Sequence, residues 1–134
     1  MTRLFVFAAA FVLTSAAALA QTAGGLQEQP RSSIGYSSVA TALQALRALP
    51  GATVSVQGGW TIVDDKASHT LWSFSPESDP AYPAAVRRQL VVEDKTVLIK
   101  MDVLCEATKE ACDKLVVDFQ KLNDTIKQHM NEHH

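Results

Sequence analysis

Residues 64 to 88 hold most of the side chains in this sequence whose types could do chemistry. His69 lies close to Asp64 and Asp65 and is surrounded by Ser68, Ser73, Ser75 and Ser78, so a base, an orienting carboxylate and a hydroxyl nucleophile all occur in one stretch. Hydrolysis would need those three groups to converge in space, and neither the G-x-S-x-G elbow nor the S-x-x-K motif is present to arrange it locally. His69 with Asp64 and Asp65 is therefore a weak catalytic set, and the paired acids sit in turn sequence, where solvated carboxylates ordinarily belong. The sequence favours a protein that is not an enzyme.

Trp72, Tyr82, Arg87 and Arg88 form a second constellation. Flat rings beside guanidinium groups can grip a peptide, a glycan or a small anion by stacking and cation–π attraction. One reading places Trp60 and Trp72 both in the core. The sharper one puts Trp72 at a sheet margin beside Tyr82 and one of the arginines. If the turn at 64–68 pairs the flanking strands directly, the two indoles become cross-strand neighbours or close diagonals.

Cys105 and Cys112 have six residues between them, not the two-residue gap of a redox pair, and there is no second pair to complete a zinc site. They are expected to form a disulfide, which for so short a loop contributes about 2 kcal/mol. His129, His133 and His134 end the chain; the first two would align on a helix as a weak surface site for nickel or zinc, and no resident metal is expected. The glycine pairs at 24–25 and 58–59 lack the spacings that cradle phosphate, so no cofactor is expected either.

Composition bounds the setting for these groups. The chain carries 12 Lys+Arg against 14 Asp+Glu, a net charge of -2, with both signs mixed along it. Nucleic-acid binding would need a basic stripe, and only Arg87-Arg88 makes even a pair. Residues 1–20 have one early positive charge, an apolar run from Leu4 to Leu13 and a small-residue site ending at Ala20, the pattern of a secretory signal peptide. That run is too short to span a bilayer, and no later one is longer. Export to a periplasmic or secreted location also suits a disulfide.

The elements that must position these residues follow from periodicity. Residues 21–36 are polar and glycine-rich, a flexible lead-in, and 37–134 form a single α+β domain. Val39, Ala42, Leu43, Leu46 and Leu49 recur at helical spacing, with Ser37 or Ser38 as cap and Leu49-Pro50-Gly51 as stop. Val54 and Val56, then Trp60 and Ile62, alternate on either side of Gly58-Gly59, which predicts a tight hairpin. Thr70, Trp72 and Phe74 share one side of a third strand. Pro76, Pro80 and Pro83 then stiffen a link. A long hairpin follows, with Val86, Leu90 and Val92 on one arm and Val97, Ile99, Met101, Val103 and Cys105 on the other. Arg88 shares the parity of Val86 and Leu90, so it is expected on or near the buried face.

Cys112, Leu115, Val116, Phe119, Leu122, Ile126 and Met130 define the stripe of a C-terminal helix, with Glu106 and Glu110 near the amides of its first turn. The expected fold is α+β: N-terminal helix, four- or five-stranded antiparallel sheet, C-terminal helix, both helices packed on one sheet face. The expected role is a small exported binding or accessory protein, an inhibitor or protective factor, using a surface near residues 69–88. Its partner would be an envelope or extracellular protein, a peptide or a glycan. The alternatives are a small hydrolase-like enzyme using His69 with turn carboxylates, and a self-associating domain that forms a homodimer.

Overall fold

The computed structural model describes residues 33–133; the expected signal peptide at 1–20, the first part of the expected lead-in, and His134 lie outside the described residues. In order, the elements are α1 (Val39–Arg47), β1 (Thr53–Gln57), β2 (Trp60–Asp65), β3 (Thr70–Phe74), β4 (Ala84–Glu93), β5 (Thr96–Cys105) and α2 (Lys109–Glu132). The strands form one antiparallel sheet in the order β1-β2-β3-β4-β5, each beside its neighbour in sequence.

The turns set the registers. Gly58 and Gly59, with φ of 57° and 84°, close the two-residue turn that pairs Gln57 with Trp60. Positive φ at both positions matches the twist of the flanking strands, and glycine adopts it without strain. Asp94 and Lys95 do the same between β4 and β5, with φ of 50° and 65°. Between β2 and β3 the chain takes one 3-10 turn, Lys66–Ser68, and then places His69 at φ 53°.

That third turn decides where the aromatics go. Residues 66–69 are an even number, so Val63 pairs with Trp72 and Ile62 with Ser73. Side chains alternate along a strand, and odd positions of β2 therefore share a face with even positions of β3. Trp60 and Trp72 stand on opposite faces of the sheet, so the cross-strand indole pair that a direct turn at 64–68 would have allowed does not form.

Two apolar clusters result. On one face Val63, Trp72, Phe74 and Ala85 pack with Val39, Ala42 and Leu46 of α1. On the other Ala84 and Val86 pack with Leu115 of α2, while Trp60, Met101, Val103 and Phe119 close around them. The helices thus cover opposite faces, in three layers, and not one face as the sequence suggested. The reason is that β3 and the first half of β4 are apolar or small at both parities, so the sheet centre has two faces to bury. The packed chain also begins ahead of Ser37: Ile34 is 1% exposed, and Tyr36 meets Trp72 edge-on at 5.9 Å between ring centroids.

Helix ends follow capping chemistry with one departure. Ser38 caps α1, its Oγ accepting from the Thr41 amide at 3.1 Å. Thr108 caps α2, accepting from the Ala111 amide, and Glu110 lies in the first turn. Glu106 does not serve α2. Its amide is tied to the Pro83 carbonyl at 2.9 Å, and its carboxylate accepts the Val39 amide of α1 at 2.7 Å, holding α1 to the end of β5. Cys105 and Cys112 form the expected disulfide, Cα atoms 5.7 Å apart, which fastens the last residue of β5 to the start of α2. Among the described residues no helix is long and apolar enough to cross a membrane.

Candidate functional site

Arg87 and Arg88 are consecutive on β4, so strand alternation sends them to opposite faces. Arg87 goes to the α1 face, across from Asp102, and its Nη2 donates to Asp102 Oδ2 at 2.5 Å. Its Cζ lies 5.9 Å from the Trp72 ring centroid. Trp72 is only 6% exposed and also stacks on Phe74, so it belongs to the core, with the half-buried Arg87–Asp102 pair at its margin. Tyr82 is exposed in the link between β3 and β4, next to the cis Tyr82–Pro83 peptide. Among the described residues no hydrogen bond or ring contact joins it to Trp72, Arg87 or Arg88. The four residues singled out for binding are thus divided among two faces and a loop.

Arg88 points to the α2 face, between Leu71 on β3 and Met101 on β5. Its Cζ lies 5.3 Å from the Phe119 ring centroid, and Nη2 reaches Ser73 Oγ at only 3.5 Å. Its Nε is buried and has no hydrogen-bond partner, and among the described residues no carboxylate pairs with the guanidinium. Burial pushes its pKa below the usual arginine value, because desolvation disfavours the charged form.

Arg88 separates two hollows. The larger, about 350 Å³, is lined by Gln57, Trp60, Ile62, Ser73, Phe119 and Leu122. Asp118 also lines it, but its carboxylate is already taken by Lys114 one helical turn earlier, at 2.5 Å. The smaller, about 90 Å³, is walled by Leu71, Leu90, Ile99 and Ile126. Both exist because α2 runs along β5, and over β2 and β3 the same sheet face is roofed mainly by the edge-to-face contact of Phe119 on Trp60 at 5.5 Å. The result is a groove with a mainly apolar lining, two neutral hydrogen-bonding groups in Gln57 and Ser73, the Lys114-paired carboxylate of Asp118 at its wall, and one guanidinium that no carboxylate pairs with among the described residues. Chemically it can hold a small anion that carries apolar groups.

The catalytic candidates are arranged differently. His69 is exposed at the end of its turn, and among the described residues no hydrogen bond links it to Asp64 or Asp65. Asp65 accepts from Ser68 Oγ at 2.6 Å, a bond internal to the turn, and Asp64 stands opposite Leu71. Ser75 is buried and accepts the Ala84 amide at 2.9 Å, which ties the β3–β4 link. No group of three metal-binding side chains occurs among the described residues. His129 and His133 meet edge-on at 4.4 Å between ring centroids near the end of α2.

The parity of Arg88 was the signal that led from the sequence to this groove. Phe119, Leu122 and Ile126 were not singled out as groove residues because a stripe at helical spacing reads first as core, and Trp60 because its expected place was in the core or beside Trp72. Leu122, in the middle of that stripe, is 45% exposed, so the stripe is wider than the sheet surface that covers it. No known family model, curated protein or solved structure matches the chain.

Proposed function

We propose that the chain is a small exported binding or accessory protein, periplasmic or secreted, and that its ligand site is the groove around Arg88. One observation carries this reading: a partly buried guanidinium with a buried, unpartnered Nε and, among the described residues, no carboxylate paired with it, the nearby Asp118 being bonded to Lys114. A desolvated, uncompensated charge costs stability, and an apolar side chain of similar length would fill the same space without that cost. Arginine at such a place earns its position through something that arrives from outside and supplies the missing charge. The N-terminal pattern of residues 1–20 and the Cys105–Cys112 disulfide support export. An inhibitor or protective factor that sequesters an anionic, partly apolar group is the role this chemistry fits.

The test uses 8-anilinonaphthalene-1-sulfonate, a sulfonate carrying aromatic rings. The folded protein is expected to bind one equivalent, Arg88→Met to bind it about tenfold or more weakly, and Arg87→Met to bind it unchanged. Equal affinity in the Arg88 variant and the parent overturns the assignment.

A second reading, self-association, is favoured by a different feature. β1 is an edge strand with no charged residue, and Val54 and Val56 stand exposed on it, Val56 by 70%. Such an edge can pair with that of a second copy to form a homodimer.

A further inference from the structure

We infer that the Arg88 groove takes the free C-terminal end of a peptide whose last residue is a branched aliphatic one; this rests on the groove being the ligand site. The argument starts from where the charge sits. Arg88 is not at the end of an apolar channel but between two hollows, one of about 350 Å³ and one of about 90 Å³. A matching anion must therefore have apolar groups leaving it in two directions. A free fatty acid has one, and inorganic phosphate and most glycans have none. A C-terminal residue has both, because its carboxylate and its side chain share one Cα, and the chain departs on the other side.

The sizes and linings agree with that geometry. The small hollow, walled by Leu71, Leu90, Ile99 and Ile126 and open to solvent beside Leu90, offers room for about three waters, a closer fit to a valine or leucine side chain than to an indole. The large hollow carries what a preceding peptide unit needs. Gln57 and Ser73 provide a side-chain amide and a hydroxyl for its backbone, and Trp60 and Phe119 provide ring faces for its side chain. Guanidinium binds carboxylate through two parallel hydrogen bonds, and partial burial strengthens such a pair relative to one in open water. Asp118 lines the same hollow, so an acidic residue just before the C-terminus is disfavoured.

The probe is acetyl-Ala-Phe-Leu with a free carboxylate, titrated calorimetrically into the intact protein beside three comparisons: its C-terminal amide, acetyl-Ala-Phe-Trp and sodium octanoate. The free acid is expected to bind about tenfold or more tightly than the amide and than the tryptophan-ended peptide, with the acid–amide difference disappearing in Arg88→Met. Equal binding of acid and amide overturns the proposal, and so does octanoate binding more tightly than the peptide. If the naphthalene sulfonate binds in an Arg88-dependent way and no peptide does, the ligand class is wrong while the groove stands. If neither binds, the groove itself is not the site.

Discussion

Arg87 and Arg88 share a strand and a residue type, and their surroundings differ in one respect that matters. Each guanidinium lies against an aromatic ring, Trp72 for the first and Phe119 for the second. Only Arg87 also has a carboxylate, Asp102 at 2.5 Å. On the α1 face the charge is balanced by a half-buried ion pair and the aromatic is buried. On the α2 face the charge is left over, and hollows open on both sides of it. On the reading proposed above, adjacent positions on one strand serve architecture and recognition separately, with charge compensation as the mark that tells them apart.

The contrast can be broken or sharpened by substitution. The largest effect is expected on the α1 face: Ile34→Ala should cost about 2–4 kcal/mol in urea denaturation, because a fully buried aliphatic side chain leaves a cavity. Leu122→Ala, at the groove, should cost under about 1 kcal/mol, since much of that side chain is already in water. Similar losses at the two sites would show that the faces are equally packed. Next comes the arginine pair itself. Arg88→Met should leave stability unchanged or raise it by about 1–2 kcal/mol, whereas Asp102→Asn should lower it by about 0.5–1 kcal/mol.

The sign for Arg88 follows from its lowered pKa. The unfolded chain holds that proton more tightly, so the folding penalty is present in full at every pH below the folded-state value, and acid does not relieve it. Destabilisation by Arg88→Met would show that the Phe119 contact outweighs desolvation. The smallest effect is at the sheet edge. Val56→Lys should change stability by no more than about 0.5 kcal/mol, yet it should abolish any dimer seen by light scattering if β1 edges pair.

What could be read from the sequence was what is decided within a few residues. Gly58-Gly59 encoded its turn, the serines at 37 and 38 a cap between them, Cys105 and Cys112 their bridge, and the parity of Arg88 its face. What could not be read depended on counts and distances the sequence does not display. The segment "DDKAS" marks a turn but not its length in the paired register, and one residue more or fewer would have put Trp60 and Trp72 on the same side. The helices were expected on one face because the long hairpin alternates cleanly, but Trp72, Phe74 and Ala85 required a second cover. Glu106 has the composition of a helix-start acid and is used by another helix. The groove was least legible of all, because it arises from what α2 fails to cover.

The bond from the Val39 amide to Glu106 spans 67 residues and carries a kinetic consequence. Every strand pairs with its neighbour in the chain, and α2 packs on the strand just before it, so most of the molecule can form through short loop closures. α1 is the exception: its apolar residues need β4, and its first amide needs a side chain that follows β5. The first helix among the described residues is therefore expected to dock last, after a sheet has been built to receive it. Until then Val39, Ala42 and Leu46 remain uncovered, which makes the interval between hairpin closure and helix docking the time at which a folding chain is most exposed to aggregation.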